Sequence, residues 1–139
     1  MLQEHERLLH DGLLPGAAIA APYLAYLERQ VARHDGVLLV AERGGAVVGF
    51  VACLIERYDG PEEAPDSAVY GLVSDIAVSP AARRQGIGQA LLAAAEAHAR
   101  GRGMARLRVH VLSANEEARA AYRRFGFMPY TEELEKRLR

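Results

Sequence analysis

The fold of this chain is decided by one segment, Val78-Ser79-Pro80-Ala81-Ala82-Arg83-Arg84-Gln85-Gly86-Ile87-Gly88-Gln89-Ala90-Leu91-Leu92. Pro80 ends the apolar strand before it, because proline has no backbone N–H to donate to a sheet. Gly86 and Gly88 open an alanine-rich helix, and without side chains they let a ligand lie against the backbone. The first amides of a helix have no internal partners and stand at the positive end of the helix dipole. With the charges of Arg83 and Arg84, the segment predicts a turn that binds a diphosphate.

Two common diphosphate-binding motifs do not match this turn. A P-loop requires Gly-Lys-Ser/Thr, but Gln89 and Ala90 follow Gly88, so the phosphate-binding lysine and the magnesium-binding hydroxyl are both missing. A Rossmann fingerprint requires a third glycine, where this chain has Leu91. It also requires an acidic residue about twenty positions later for the ribose, and the strand predicted over residues 106–112 carries no carboxylate.

A second motif follows downstream, Asn115-x-x-Ala118-x-x-x-Tyr122-x-x-x-Gly126-Phe127. One predicted helix and one predicted strand separate it from the glycine turn. Taken together, this run and the pattern Arg83-x-x-Gly86-x-Gly88 resemble the acetyl-CoA signature and the following helix of the GCN5-related N-acetyltransferase (GNAT) family. The resemblance covers residues 36–139 and implies an enzyme that moves an acetyl group from acetyl-CoA to a primary amine.

The resemblance also implies where acetyl-CoA, the co-substrate, binds. The pantetheine arm is expected beside the strand that ends at Val78, and the diphosphate on the glycine turn. The implied cofactor-binding residues are Ile76, Ala77, Val78, Arg83, Arg84, Gln85, Gly86, Ile87, Gly88, Gln89, Asn115 and Tyr122. Two alternatives stay open: the basic turn can be a solvated helix start, and Asn115 can cap the helix predicted from Glu116, since asparagine is a good N-cap.

Tyr122 and His110 are the candidate catalytic residues. The family tyrosine that Tyr122 matches lies near the cofactor sulfur, where a phenol can protonate the departing thiolate; the alternative is an aromatic that packs with its phenylalanine neighbours. His110 lies on the strand before Asn115 and titrates near neutrality, as a general base for the amine should. It can equally be a hydrogen-bonded histidine on the sheet. Asp75 and a water relay from Glu56 are the other candidate bases, and for Asp75 structural pairing is favoured, because a lone buried carboxylate is costly.

The element pattern predicts one α/β domain over residues 1–139. Helices are expected over 4–14 and up to residue 35, then a hairpin of strands 37–41 and 46–55, a strand over 69–78, a helix over 88–100, a strand over 106–112 and a helix over 116–124. The tail from 127 to 139 can hold one or two strands, or a helix. The expected fold is the acyl-CoA N-acyltransferase fold, a single-layer mixed sheet of about six strands with helices on both faces. Family members begin with a strand that Met1-Leu2-Gln3-Glu4 does not offer, so the leading edge strand is expected to be missing.

Composition narrows the remaining functional classes. The chain has 139 residues and a net charge of −1, so no basic field favours nucleic acid. No apolar run reaches the length of a membrane span and no signal segment is evident, which predicts a cytoplasmic protein. Cys53 is the single cysteine and the histidines lack metal spacing, so no metal is expected. The sequence does not define the acceptor, which can be a small amine, an antibiotic, an amino acid or a protein N-terminus. A homodimer is open because many relatives are dimers. The alternative function is a non-catalytic acyl-CoA-binding module.

Overall fold

The computed structural model describes residues 16–139, with side chains from residue 23 onward. The helix predicted over 4–14 and the expected absence of a leading strand lie outside the described residues. The described elements are α1 (Gly16–Arg33), β1 (Val37–Arg43), β2 (Ala46–Arg57), α2 (Pro65–Ala68), β3 (Val69–Val78), a 3-10 turn (Pro80–Ala82), α3 (Ile87–Gly101), β4 (Leu107–Val109) and α4 (Glu116–Phe125).

One mixed sheet with the strand order β1-β2-β3-β4 forms the centre of the fold. The pairs β1–β2 and β2–β3 are antiparallel, whereas β3 and β4 are parallel and are joined through α3. Gly44 and Gly45 make the β1–β2 turn with φ of 58° and 80°, the left-handed conformation that two-residue hairpin turns need. The sheet and its helices give the α/β class that the sequence predicts.

The predicted count of about six strands is not confirmed, because the described residues form four strands. Residues 127–139 contain neither helix nor strand. Met128, Leu134 and Leu138 are 83%, 83% and 88% exposed, so the apolar side chains that would anchor a strand in the sheet are not buried. Pro129 cannot donate to a ladder, and the four-residue spacing of the two leucines does not match the two-residue period of a strand.

The two faces of the sheet are covered by different helices. α3 packs on one face, where its side chains Leu91, Leu92 and Ala95 form the core together with the sheet residues Val51, Cys53 and Val73. Gly71 permits this close packing, because a Cβ there would lie 2.7 Å from the Cβ of Ala99. α1 packs on the opposite face, where Tyr23 donates a hydrogen bond to the carboxylate of Asp75.

A β-bulge in β3 decides which residues face which helix. Two consecutive residues of β2, Ala52 and Cys53, pair with Asp75 and Val73, so Ser74 is an extra residue in β3. An extra residue shifts the alternation of side chains between the two faces. As a result Val73 packs in the core under α3, while Asp75 points toward α1.

Next to this bulge, β3 and β4 part. Their parallel ladder joins Gly71 to Leu107, Leu72 to Arg108 and Val73 to Val109, and ends there. β3 itself continues to Val78, but after Val73 it is paired only with β2. The strand predicted over 106–112 is therefore shorter in the structure, because beyond Val109 the partner strand has moved away. The backbone edge of β3 after Val73 faces a gap in the sheet instead of a neighbouring strand.

Candidate active site

The gap between the parted strands opens into a cleft of about 260 Å³. Its walls come from the end of β3, the glycine turn, the start of α3, the segment after β4, and α4. All of the predicted site residues except Gln85 line it: Ile76, Ala77, Val78, Arg83, Arg84, Gly86, Ile87, Gly88, Gln89, His110, Asn115 and Tyr122. Residues from separate parts of the sequence therefore meet at one site, while their individual roles stay predictions.

The glycine turn has a backbone shaped for an anion. Arg84 and Gly86 both adopt positive φ, 63° and 81°, and Gly86 is the N-cap of α3 without a side-chain cap hydrogen bond. The first helical bond runs from the amide of Ala90 to the carbonyl of Gly86, so the amides before Ala90 precede the helical ladder. No acidic residue lies in the first turn of α3, which leaves the positive end of the helix dipole available to a phosphate.

The space above Gly88 tests whether a diphosphate fits this turn. A Cβ built on Gly88 would touch one atom within 4 Å, the Cγ2 of Val78 at 3.9 Å. A Cβ on Gly86 would meet nothing within 4 Å. The glycines thus keep the cleft open directly over the helix start, as a ligand lying against the amides requires.

Two side chains of the turn support the walls of the cleft. Arg83 donates from Nε to the carbonyl of Val78 at 3.3 Å, which ties the turn to the end of β3. Gln89 donates from Nε2 to the carbonyl of Ala121 at 3.1 Å, which holds α4 against α3. Arg84 is exposed. The backbone, supported by Arg83 and Gln89, therefore presents the polar groups of the turn.

Asn115 caps α4. Its Oδ1 accepts a hydrogen bond from the amide of Ala118 at 3.1 Å, which satisfies one of the helix amides that lack an internal partner. The capping role is thus present in the structure. The side-chain Nδ2 group is not used by the cap, and because Asn115 lines the cleft, a contact to the pantetheine stays a prediction.

Tyr122 both lines the cleft and packs in the aromatic cluster below it. Its ring meets that of Phe127 edge-on at 5.8 Å, and Phe127 in turn lies 5.8 Å from Phe125. Such an edge-to-face pair fixes the orientation of the ring. Packing and contact with the cleft, two alternatives in the sequence, therefore occur together.

The candidate bases occupy different environments. His110 is exposed and lines the cleft directly after β4. Asp75 is 6% exposed and accepts the hydrogen bond from Tyr23; burial raises the pKa of its carboxyl, and hydrogen bonds from Tyr23 and Ser74 oppose part of that shift. Glu56 pairs with His34 at 3.8 Å, and neither of these residues lines the cleft. Among the three candidate bases, only His110 combines access to the cleft with an exposed side chain.

Further residues of the cleft wall had no predicted role. Ala121 precedes Tyr122 directly on α4 and lines the cleft. Ala118, which belongs to the second motif, also lines the cleft and lies three residues before Ala121, so the helical period counted from Ala118 indicates Ala121. Arg124 and Glu117 also border the cleft, and no motif points to either residue.

The part of the chain that the structure describes is residues 16–139. These residues contain no group of three or more histidine, cysteine, aspartate or glutamate side chains arranged to hold a metal ion. None of the helices in the same part of the chain has both the length and the apolar character to cross a membrane.

Comparison with known proteins finds acetyltransferases. A relative from Bacillus subtilis, the uncharacterized N-acetyltransferase YhfO, is 30% identical over 74% of this chain and 66% of its own length. An aminoglycoside N(6')-acetyltransferase type 1 from Klebsiella aerogenes is 35% identical over 73% of this chain and 65% of its own length. A mycothiol acetyltransferase from Thermobispora bispora is 36% identical over 66% of this chain and 30% of its own length. The chain thus spans less than two thirds of each of these relatives.

Solved structures share the fold. The aminoglycoside N-acetyltransferase AAC(6')-Iy in complex with CoA superimposes with a TM-score of 0.70 at 22% identity, covering 86% of this chain and 87% of the other. A GCN5-related N-acetyltransferase from Ralstonia eutropha gives a TM-score of 0.69 at 30% identity over 86% of this chain and 76% of its own. A sequence model of the family matches residues 6–127. With its cleft, its two motifs and this match over most of its length, the chain belongs to the Acetyltransferase (GNAT) family.

Proposed function

We propose that this protein transfers the acetyl group of acetyl-CoA to a primary amine by direct attack within a ternary complex. The observation that carries the proposal is the parting of β3 from β4 beside the glycine turn. It offers an open strand edge to an extended, amide-containing arm and a positive helix start to a diphosphate in one continuous cleft. CoA contains both groups, whereas ATP and NAD lack the arm.

The residues of the cleft fit the parts of CoA in order. The backbone of Ile76, Ala77 and Val78 pairs with β2 on one side and is available on the other for hydrogen bonds to the pantetheine amides. The amides at the start of α3 bind the diphosphate, with Arg83 and Arg84 adding positive charge. When bound, acetyl-CoA supplies a thioester whose carbonyl carbon is open to the amine.

Three groups of the chain act on the reaction. His110, or a water molecule that it holds, takes the proton that the amine must lose before it attacks. Backbone amides of β3 donate to the carbonyl oxygen as negative charge develops there. Tyr122 donates its phenolic proton to the sulfur as the C–N bond forms and the C–S bond breaks. Cys53 takes no part, since it is fully buried in the core.

Replacing Tyr122 by phenylalanine tests the mechanism. The Tyr122→Phe variant keeps the ring that packs on Phe127 and loses only the hydroxyl. Because a general acid contributes about 10²- to 10⁴-fold, kcat should fall by at least about 100-fold while the Kd for acetyl-CoA stays within about twofold of wild type. Tyr58→Phe is the matched control: it removes a hydroxyl that bonds Glu62 on an exposed loop and should change neither value.

Ligand-dependent unfolding tests the cofactor and the alternative function. Acetyl-CoA at about a hundred times its Kd should stabilise the fold by about 2.7 kcal/mol, whereas ATP and NAD at the same concentration should not. A larger shift with ATP or NAD contradicts the proposed cofactor. Binding of acetyl-CoA without turnover of any amine indicates the non-catalytic acyl-CoA-binding module instead. A cytoplasmic location and a homodimer remain predictions from the sequence.

A further inference from the structure

Arg108 projects from the face of the sheet opposite α3. Its neighbours in β4, Leu107 and Val109, pack against the core beneath α3, and side chains alternate along a strand. Arg108 therefore shares the opposite face with His110. The glycine turn and α4, which line the proposed cofactor cleft, lie on the α3 side, so an acceptor reaches the parted strands from the face that carries Arg108.

The guanidinium of Arg108 is held between two aromatic rings. Its Cζ lies 4.0 Å from the ring centroid of Tyr70 and 4.7 Å from that of Tyr130. One nitrogen, Nη2, lies 3.1 Å from the hydroxyl and 3.3 Å from the carbonyl oxygen of Ser67, and 3.4 Å from the hydroxyl of Tyr130. Ser67 is 5% exposed. Stacking on both sides and bonding to a buried residue fix the orientation of a normally flexible side chain.

This fixed charge is not neutralised within the part of the chain that the structure describes. No carboxylate of residues 23–139 forms an ion pair with Arg108, although Arg106, two residues earlier, pairs with Asp66 at 3.9 Å. Glu56 lies beside Tyr70 on the neighbouring strand but faces His34 at 3.8 Å. The hydrogen bonds of Arg108 to described residues all come from Nη2, so Nε and Nη1 can donate to a ligand.

We propose that Arg108 binds a carboxylate of the acceptor, so that the substrate class is amino acids and related amines that carry a carboxylate a few bonds from the amine. Residues 108 and 110 lie about 7 Å apart along the strand. The guanidinium of Arg108 is held at Tyr70 and Tyr130 and does not line the cleft itself, so the carboxylate of an acceptor must extend from an amine near His110 toward Tyr70. This inference rests on the proposed acetyl transfer to an amine, and it names the acceptor for that same site.

The experiment compares acids with their amides as acceptors. L-alanine, L-phenylalanine and β-alanine are each paired with the corresponding amide, which removes the carboxylate charge and keeps the skeleton. Wild type should favour the acid in kcat/KM by about 10- to 100-fold, the range for a charged hydrogen bond. The amide is the less basic amine and loses its proton more easily, so a preference for the acid does not come from amine reactivity.

Variants of Arg108 and Arg106 distinguish a role of Arg108 in acceptor binding from a purely structural role. Arg108→Gln should abolish the preference, mainly through KM for the acids, and leave the Kd for acetyl-CoA within about twofold; Arg108→Lys, which keeps the charge, should retain part of it. Arg106→Gln, the matched control, should keep the full preference. Equal kcat/KM for acid and amide in wild type, or an equal loss for both in Arg108→Gln, overturns the inference and indicates that Arg108 only secures the tail through Tyr130.

Calorimetric titration of L-phenylalanine and L-phenylalaninamide into CoA-saturated protein provides a readout that does not need turnover. The acid should bind at least about tenfold more tightly than the amide to wild type, and no more tightly to Arg108→Gln. If the acid binds no better than the amide in wild type, the inference fails whatever the activity. If the binding preference is present but no amine is acetylated, the carboxylate site stands and the proposed acetyl transfer fails.

Discussion

The most informative single substitution is Gly88→Ala, because it should raise stability and lower cofactor affinity at the same time. Gly88 lies in the first turn of α3 without a positive φ, and its added Cβ would come no closer than 3.9 Å to another side chain. The folded state therefore accepts the methyl group without strain. Replacing a helical glycine by alanine under those conditions stabilises a protein by about 0.5–1 kcal/mol.

The same methyl group lies over the amides that are proposed to bind the diphosphate. If it weakens CoA binding about tenfold, the loss is about 1.4 kcal/mol. At a CoA concentration of about a hundred times the wild-type Kd, the stabilisation by CoA then falls from about 2.7 to about 1.4 kcal/mol. For a domain of this size each kcal/mol moves Tm by roughly 3–5 °C, so thermal unfolding with and without CoA resolves both effects.

Gly101→Ala is the matched control for this prediction. Gly101 ends the same helix, also lacks a positive φ, and has nothing within 4 Å of its added Cβ, but it does not line the cleft. It should change stability in the same direction and leave the CoA-dependent shift intact. A Gly88→Ala variant that binds CoA as tightly as wild type would refute the assignment of the diphosphate to the start of α3.

Two further predictions concern buried titratable groups. Burial raises the pKa of the Asp75 carboxyl, so the folded state binds the carboxyl proton more tightly than the unfolded chain does. The contribution of Asp75 to stability is therefore greatest below about pH 3.9 and is lost as the pH rises through the folded pKa. The Asp75→Asn variant can still accept a hydrogen bond from Tyr23, so its free energy of unfolding in urea should be higher than that of wild type at pH 7. This difference should vanish in acid. A variant that is less stable than wild type at pH 7 contradicts the prediction. Burial also raises the pKa of the Cys53 thiol to about 11. A disulfide reagent at pH 8 should therefore modify Cys53 in denaturant and not in the native protein. Rapid labelling of the native protein would contradict this prediction and show that the core opens at Cys53.

The glycine turn could be predicted from the sequence because its geometry depends on local residue types. Gly86 is needed for a φ of 81°, and Pro80 ends a strand by lacking an N–H. These requirements involve neighbours in the chain, so they can be recognised in one segment. The order of the four strands and of α3 and α4 was predictable for the same reason, since each of them has its own period of apolar residues. The four-residue helix α2 was not predicted.

Local residue types and their periodicity could not predict how the strands pair. The alternation of residues 72–78 gives no indication that Ser74 is an extra residue, and simple two-residue periodicity places Val73 and Asp75 on one face. The bulge places them on opposite faces, because Asp75 bonds to α1 while Val73 fills the core. The end of the β3–β4 ladder at Val109 is likewise set by how whole strands diverge. Local propensities contain no information about that divergence.

The side chains of the turn and of Asn115 explain why the motif is so informative about the fold. In the structure, Gln89 bonds to α4, Arg83 to the end of β3, and Asn115 caps α4. Each of these contacts fixes a wall of the cleft relative to another wall. The backbone amides of the turn and the open strand edge are then left for a ligand, together with the charge of Arg84. The motif therefore specifies the shape that presents the backbone to the proposed ligand, whereas the residue proposed to bind the acceptor, Arg108, lies outside the motif.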